Sequence, residues 1–278
     1  MKTAIAIFFD DNYLDKASVF LQSLSENYHA YEPLTIVCGV PEGTEISLES
    51  LYESLDIKPR IRLELLTISK DSFPWLAEID SSHGWISSTA WYRLYMGSLL
   101  PDYDKVIYFD VDALIVENVQ PILEYPMYSH FMAVMDITGV EFGASKTRGE
   151  VPWINSGMFI ADLNWWRFSG VEEEFTEYIK NNTAGLLADE DAINNSKEIR
   201  SNWSALPFVF NFYCFKKDAH GITNFDESDI LPVHYKHAIF MHFAGSIKPW
   251  TYKDLTGNDD KSILGSEWRR RLEIIKFK

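Results

Sequence analysis

An apolar run ends in two aspartates in the stretch Lys105-Val106-Ile107-Tyr108-Phe109-Asp110-Val111-Asp112. β-Branched and aromatic side chains dominate the run, which predicts a buried strand. Side chains two apart on a strand share a face, so Asp110 and Asp112 are expected to project together from its carboxyl end. Neighbouring carboxylates repel each other, and a divalent cation between them removes that repulsion. The stretch therefore predicts a metal site, with two surface acids in a solvated turn as the alternative.

The length and composition allow one large acidic α/β domain or two modest ones. The chain has 278 residues, of which 46% are hydrophobic, enough for one substantial core. Lys and Arg total 25 against 41 Asp and Glu, so the formal net charge is −16. An acidic surface repels phosphate backbones and argues against a nucleic-acid partner, although a metal and a few basic side chains can still hold a small diphosphate. The cysteines, Cys38 and Cys214, form no CxxC pair and indicate reduced thiols.

Both ends of the chain bear on localisation. The first residues lead directly into the apolar run Thr3–Phe9, without the basic region and cleavage site of a signal peptide. No apolar run approaches the roughly 20 residues that a membrane helix needs. We therefore expect a cytoplasmic protein. The tail at about 266–278 mixes basic and apolar residues, which predicts a terminal helix packed on the domain, with peripheral contact to an anionic membrane face as the alternative.

Strand and helix patterns alternate in the first part of the chain. Apolar runs predict strands at Thr3–Phe9, Leu34–Val40 and Arg60–Ile68, and helical spacing predicts helices at about 14–28 and 46–55. This alternation is typical of a mostly parallel sheet with helices on both faces, which binds ligands at strand carboxyl ends. No linker or repeat interrupts it, so one domain over residues 1–278 is predicted.

The remaining elements are predicted from the same patterns. Helices are expected at Ser88–Leu100, Trp165–Lys180 and near Asp189–Ser196. Strands are expected at Phe131–Asp136, Met158–Leu163, Leu206–Phe212 and Ala238–Phe243. Gly139–Trp153 is expected to be a loop, and loops of that length in compact domains are usually functional.

A second group of polar residues follows the last predicted strand. His242 ends an apolar run, Gly245 permits close backbone approach, and Lys248 supplies a cation before Pro249. These residues suit a clamp for a metal and a diphosphate. Two carboxylates with an imidazole favour manganese over magnesium, which usually avoids nitrogen ligands. A histidine that only makes structural hydrogen bonds is the alternative for His242.

Six short motifs occur in order along most of the chain: Asp10-Asp11-Asn12-Tyr13, Ser88-Thr89-Ala90-Trp91-Tyr92-Arg93-Leu94, Tyr108-Phe109-Asp110-Val111-Asp112, Asn155-Ser156-Gly157, Asp189-Glu190-Asp191 and His242-x-x-Gly245-x-x-Lys248-Pro249-Trp250. Each motif alone is weak, whereas the ordered set is specific. Together they resemble the family 8 retaining glycosyltransferases, which include glycogenin and bacterial lipopolysaccharide galactosyltransferases.

The resemblance implies a GT-A fold, which is a single Rossmann-like α/β domain with a mostly parallel central sheet, and a UDP-sugar donor. It implies a divalent metal, usually Mn²⁺ with Mg²⁺ as the alternative, on Asp110, Asp112 and His242. The same resemblance implies that the uridine of the donor is bound by Phe8, Asp10, Asn12 and Tyr13. It implies contacts to the diphosphate from Gly245 and Lys248, and contacts to the sugar hydroxyls from Asp136, Asn155 and Asp189. Further donor contacts are implied for Arg93, Asp110, Val111 and Asp112.

Catalytic roles are predicted for Asp189, Glu190 and Lys248. Lys248 and the metal would stabilise charge on the departing UDP, and Asp189 can accept two hydroxyl hydrogen bonds from the sugar. The bacterial galactosyltransferases have glutamine where this chain has Glu190. That carboxylate is interpreted as a nucleophile in a double displacement, as an electrostatic stabiliser of an oxocarbenium-like centre, or as a hydrogen-bond acceptor only.

The leading prediction is a metal-dependent retaining transferase that moves glucose or galactose from a UDP-sugar to a saccharide or other hydroxyl acceptor. The alternatives are an inactive UDP- or saccharide-binding protein on the same fold and a sugar nucleotidyltransferase. The latter typically has a basic, glycine-rich loop after the first strand, where this chain has Asp10-Asp11-Asn12. The segments Gly139–Trp153 and about 208–234 are the predicted acceptor contacts.

Overall fold

The computed structural model describes residues 1–75, 88–136, 153–182, 189–213 and 237–244, with Lys248, Trp250, Trp268, Arg270, Arg271 and Ile275. The strands within these residues are β1 (Thr3–Phe8), β2 (Leu34–Pro41), β3 (Ile61–Ile68), β4 (Lys105–Phe109), β5 (Ala113–Ile115), β6 (Phe131–Met135), β7 (Ile154–Asp162), β8 (Trp203–Ala205), β9 (Phe212–Tyr213) and β10 (Phe240–His242). The α-helices are Leu14–Glu26, Leu48–Ser54, Met96–Leu99, Gln120–Leu123, Leu163–Ser169, Val171–Asn181, Asp189–Asn195 and Lys197–Ser201. Short 3₁₀ helices occupy Asp11–Tyr13, Lys70–Ser72, Ser88–Tyr95 and Phe208–Phe210.

Seven of the described strands form one sheet in the order β3-β2-β1-β4-β7-β6-β8. The β1–β2, β2–β3, β1–β4 and β6–β8 pairs are parallel, while β7 runs antiparallel to both neighbours. The predicted mostly parallel sheet flanked by helices is therefore confirmed. Because ligand sites of such sheets lie at strand carboxyl ends, the residues after β1 and β4 come to one edge.

Apolar side chains cover both faces of this sheet. Phe20 from the first helix packs at ring-centroid distances of 5.7 Å from Phe109 and 6.2 Å from Phe240 on one face. On the other face Phe159 lies against Tyr108 and Trp166. Strands that are buried on both faces read as continuous apolar runs, which is why the sequence pattern located β1, β2 and β4.

A second sheet, of three strands, decides where His242 lies. Its order is β5-β10-β9, with β10 antiparallel to β5 and parallel to β9. The register pairs His242 with Ala113, and the Phe243 amide donates to the Asp112 carbonyl over 3.0 Å. Backbone pairing therefore brings a residue from late in the chain next to the aspartates that follow β4.

Three predicted elements differ from the structure. The helix expected at Trp165–Lys180 is two helices, because Gly170 adopts a left-handed conformation (φ = 80°) between them. The strand expected at Leu206–Phe212 is wrong, since Pro207 has no N–H for a ladder and a 3₁₀ turn follows it. The helix expected at Ser88–Leu100 is 3₁₀ up to Tyr95 and α-helical only from Met96.

The described residues of the predicted C-terminal tail contact the domain. Trp268 is buried against Trp250, with 5.1 Å between ring centroids, and the Arg271 guanidinium donates to Glu26 over 2.8 Å. Ile275 packs against apolar clusters of the core. These contacts favour a packed terminal segment over membrane contact. Among the described residues, the helices are all too short or too polar to cross a bilayer.

Candidate active site

The three predicted metal ligands come together at the sheet edge. Asp110 follows β4, Asp112 precedes β5 and His242 ends β10. The His242 Nε2 atom lies 3.6 Å from Asp110 Oδ2 and 3.4 Å from Asp112 Oδ1. One ligand atom from each residue lies within 4.8 Å of the others, which is compact enough for one ion. Two carboxylate oxygens and an imidazole nitrogen are a donor set that can hold a divalent metal ion.

Gly157 on β7 leaves the room that this cluster needs. Its carbonyl accepts from the Asp110 amide over 2.8 Å, so it lies directly across from the aspartate. A Cβ atom at this position would lie 2.2 Å from His242 Cε1 and 3.0 Å from Asp110 Oδ2. Only glycine allows the imidazole and the carboxylate to approach each other here. The sequence analysis included Gly157 in a motif without giving it this role.

Arg93 offsets the negative charges of Asp110 and Asp189. Its guanidinium bonds Asp110 through two nitrogens, at 2.7 and 3.1 Å, and its Nε lies 3.2 Å from Asp189 Oδ2. Burial alone would lower the pKa of Arg93, but the carboxylates of Asp110 and Asp189 raise it well above its ordinary value. Its side chain is only 7% exposed. Arg93, predicted as a donor contact, is thus engaged with two carboxylates.

Tyr108 supplies a further bond to Asp110. The phenol lies two residues earlier on β4, on the same face, and donates to Asp110 Oδ1 over 2.6 Å. The Arg93 guanidinium lies 4.7 Å from the centre of its ring. Tyr108 was not among the predicted site residues, although its position two residues before Asp110 in the sequence was the signal that could have identified it.

Lys248 lies beside Asp112, as a clamp for a metal and a diphosphate requires. Its ammonium donates to Asp112 Oδ2 over 2.5 Å and to the Phe243 carbonyl over 2.7 Å. Burial alone would raise the pKa of Asp112, but Lys248 and His242 hold it far below its usual range. Asp112 therefore stays ionised, and Lys248 places a cation at the edge of the cluster.

The residues predicted to bind uridine flank the end of β1. Phe8 is buried on the sheet, where Gly39 of β2 leaves space for its ring, since a Cβ at Gly39 would lie 2.3 Å from it. Asp10 caps the following 3₁₀ turn by accepting from the Asn12 amide over 2.9 Å. Burial, Asp112 and Asp110 together raise the pKa of Tyr13 to about 12, so its phenol stays neutral beside the acidic cluster.

The carboxyl group of Glu190 accepts hydrogen bonds from three donors. The Trp153 indole donates to Oε1 over 2.8 Å, while the Asn155 amide and the Ser156 backbone N–H donate to Oε2 over 3.1 and 3.3 Å. Burial and the charge of Asp136 raise the pKa of Glu190 to about 8, although the Trp153 hydrogen bond opposes that shift. The carboxyl group therefore titrates near neutral pH. Trp153, predicted as an acceptor contact, bonds the carboxyl of Glu190.

The buried polar residues Asp136, Asn155 and Asp189 are predicted to hold the sugar. Each is less than 10% exposed. Burial raises the pKa of Asp189, which Arg93 opposes, and the enclosed Oδ2 atom of Asp189 has the Arg93 guanidinium, 3.2 Å away, as its charged partner. Val111, also predicted as a donor contact, buries its side chain in the apolar core.

Several predicted residues lie outside the described part of the chain. They are Gly245, most of the loop Gly139–Trp153 and most of the segment at about 208–234. Asn211, in contrast, is described, fully buried and bonded to His242 Nδ1 over 3.2 Å. No motif or periodicity in the sequence marked Asn211, because its partner lies on a strand that is 31 residues away.

The fold and site together define a GT-A-type α/β protein with two carboxylates and an imidazole grouped at the carboxyl edge of its sheet. A model of Glycosyl transferase family 8 matches residues 4–254, and the chain belongs to that family. It is a glycosyltransferase by family, as its sequence motifs predicted.

Known proteins agree with this assignment. General stress protein A of Bacillus subtilis (strain 168) is 23% identical over 256 residues, covering 87% of this chain and 85% of that protein. The galactosyltransferase LgtC, solved with donor and acceptor sugar analogues, superposes with a TM-score of 0.74 at 17% identity, covering 97% of this chain and 95% of LgtC. An LgtC active-site variant with glutamate in place of glutamine superposes with a TM-score of 0.72 at 19% identity, covering 96% of this chain and 95% of the variant. These structural similarities show a shared fold.

Proposed function

We propose that the protein is a metal-dependent, retaining hexosyltransferase that moves glucose or galactose from a UDP-sugar to a hydroxyl group of a saccharide or similar acceptor. The observation that carries the proposal is the grouping of Asp110, Asp112 and His242, with ligand atoms within 4.8 Å, beside the ammonium of Lys248. A cation site next to a lysine ammonium suits a diphosphate leaving group.

Asp110, Asp112 and His242 would hold Mn²⁺, with Mg²⁺ as the alternative ion. When bound, the metal supplies positive charge beside the diphosphate. Lys248 lies close enough to Asp112 to share that diphosphate, and its ammonium would donate to phosphate oxygens as the sugar–phosphate bond breaks. Gly245 is proposed to bring its backbone close to the same group.

The donor is proposed to lie across the sheet edge, with uridine at one end and hexose at the other. Phe8, Asp10, Asn12 and Tyr13 would bind uridine. Asp136, Asn155 and Asp189 would orient the hexose hydroxyls, since buried carboxylates and amides bond them strongly. Arg93 supports this arrangement by neutralising the charges of Asp110 and Asp189 together. The backbone of Val111 is proposed to make a further contact to the donor.

Glu190 is proposed to act on the anomeric carbon. As an ionised carboxylate it either attacks that carbon while UDP leaves, forming a glycosyl ester, or stabilises positive charge there without a bond. On the first route the acceptor oxygen then bonds the anomeric carbon, the bond to Glu190 breaks, and the hydroxyl proton passes to an oxygen of the departing UDP. Both routes retain the anomeric configuration when the acceptor arrives on the face that UDP left. A near-normal transfer rate in Glu190→Gln would eliminate the nucleophilic route.

A panel of UDP-sugars with Mn²⁺ tests the proposal, with UDP release by hydrolysis as the readout. We expect UDP-glucose or UDP-galactose to be turned over, and chelation or Asp112→Asn to abolish the release. Arg62→Met, which alters an exposed ion pair with Glu64, is the control and should leave the rate unchanged.

Other outcomes favour the alternative functions. Metal-dependent UDP binding without turnover of any sugar nucleotide would indicate an inactive binding protein on this fold. Synthesis of a UDP-sugar from UTP and a sugar phosphate would indicate a nucleotidyltransferase. A cytoplasmic location belongs to the proposal, with peripheral contact at a membrane face as the alternative, and the contact of Arg271 with Glu26 favours a packed tail over that alternative.

A further inference from the structure

A row of side-chain amides connects His242 with Glu190. His242 Nδ1 lies 3.2 Å from Asn211 Oδ1, Asn211 Nδ2 lies 2.7 Å from Asn155 Oδ1, and Asn155 Nδ2 lies 3.1 Å from Glu190 Oε2. Asn211 is 0% exposed and Asn155 8% exposed. The row therefore lies in the interior, where each donor and acceptor must be matched.

One backbone group fixes the direction of every bond in this row. The Gly157 N–H can only donate, and it lies 3.0 Å from Asn155, so the atom that it meets there is the oxygen Oδ1. That same oxygen accepts from Asn211, which makes the Asn211 atom Nδ2. The Asn211 oxygen must then face His242, and an oxygen acceptor requires a proton on Nδ1.

The position of that proton decides what the imidazole offers on its other side. A neutral imidazole has one N–H, so a proton on Nδ1 leaves the lone pair on Nε2. Nε2 is the atom that lies 3.4 Å from Asp112 and 3.6 Å from Asp110. Metal-binding histidines commonly donate the other ring N–H to an oxygen acceptor such as a carboxylate or a backbone carbonyl, which fixes the tautomer in the same way.

We propose that Asn211 is a positioning residue that holds His242 as the Nδ1–H tautomer, aims its Nε2 lone pair at the ion, and couples that imidazole through Asn155 to the carboxyl group of Glu190. The ion belongs to the proposed function, whereas the tautomer is a property of this chain alone. The coupling means that the metal side and the sugar side of the site share one set of hydrogen bonds.

Ring-nitrogen NMR of ¹⁵N-histidine protein, free of metal and at about pH 9, reads the tautomer of His242 directly. We expect the Nδ1–H form in the natural protein and a mixture of tautomers in Asn211→Leu, an apolar residue of similar size. Asn211→Asp keeps an oxygen acceptor and should restore the Nδ1–H form. Titration with Mn²⁺, with and without UDP, should show affinity about 10–100-fold weaker in Asn211→Leu.

Asn27→Leu is the matched control. Its amide donates to the carbonyls of Ser23 and Ile115, so its loss removes two partly buried hydrogen bonds without touching His242. We expect it to lower stability while leaving the tautomer and the Mn²⁺ affinity unchanged. An unchanged tautomer with Mn²⁺ affinity within twofold in folded Asn211→Leu would overturn the proposal, as would equal losses of affinity in both variants. A natural protein that binds no Mn²⁺ would instead overturn the metal-dependent function, while the spectra would still decide the role of Asn211.

Discussion

Asp110 and His242 face the same point at the sheet edge, yet different contacts hold them. Asp110 is held by charge, since Arg93 bonds it through two nitrogens. His242 is held by a neutral amide, that of Asn211. A partly buried carboxylate is stabilised by a counter-charge, whereas an imidazole needs only a correctly oriented partner to present its lone pair. Loss of the first contact should therefore cost stability, and loss of the second should mainly cost ligand geometry.

The largest effect is expected from Arg93→Met, which removes the ion pair that holds Asp110. Asp110 and Asp189 would lose the guanidinium that they share, and two enclosed acidic groups would be left without their counter-charge, so the free energy of unfolding should fall by about 3–5 kcal/mol. Urea denaturation at pH 7 measures this loss. Arg62→Met removes an exposed partner of Glu64 and should cost less than about 1 kcal/mol. Similar losses in both variants would remove the distinction between a buried and an exposed charge pair.

Gly157→Ala tests the geometry of the imidazole side. The added methyl group would displace the His242 ring, which a Cβ would approach to 2.2 Å, so Mn²⁺ affinity should fall at least about tenfold. Calorimetric titration measures the affinity. In a His242→Ala background the ring is absent and only the 3.0 Å approach to Asp110 Oδ2 remains, so the same substitution should cost much less affinity. An equal effect in both backgrounds would show that the ring is not the cause.

Tyr108→Phe separates the contribution of the Tyr108 hydrogen bond to Asp110 from that of the Arg93 ion pair. It removes the phenol that donates to Asp110 over 2.6 Å but leaves Arg93 in place, so we expect a loss of about 1–2 kcal/mol in the free energy of unfolding. Tyr103→Phe is the control, because its partner Glu64 is partly exposed and water can replace the phenol. A larger loss for Tyr103→Phe would mean that burial does not set the value of this bond.

The effect that is spread over the widest range of conditions concerns Glu190, a carboxyl group held by the neutral donors Trp153, Asn155 and Ser156. Its pKa is raised to about 8, so between about pH 4.5 and 8 the folded protein holds a proton that the unfolded chain has released. Stability should therefore fall as pH rises through this window, by up to about 1.4 kcal/mol per pH unit, and level off above it. Urea unfolding at several pH values should show this slope, which Glu190→Gln removes. An unchanged slope in Glu190→Gln would assign the titration to another group.

Local patterns predicted the elements and residues whose causes are local. Apolar runs located β1, β2 and β4, and the polar residues that end them marked the sheet edge. The prediction at Leu206–Phe212 was wrong because hydrophobicity outweighed Pro207, and the helix at Trp165–Lys180 was too long because Gly170 was not treated as a stop. Both errors arose because hydrophobic patterns were given more weight than the backbone restrictions of proline and glycine.

Residues that act through distant partners were harder to predict. Tyr108 shares a strand face with Asp110, so the two-residue alternation of side chains along a strand could have predicted their contact. Asn211 had no such signal, because its contacts run to His242 and Asn155, which are 31 and 56 positions away. Arg93 was recognised only as a basic residue near the donor, and its bonds to Asp110 and Asp189 follow from tertiary packing.

The sequence by itself determined the fold class, the family and the paired aspartates at a strand end, because these follow from periodicity and from motifs in fixed order. Only the tertiary structure decided how His242 is oriented, which cation neutralises Asp110, and that Glu190 lies among three donors. Hydrogen-bond direction and charge pairing depend on distances between atoms that the chain brings together only on folding. The spacing of residues along the sequence does not contain those distances.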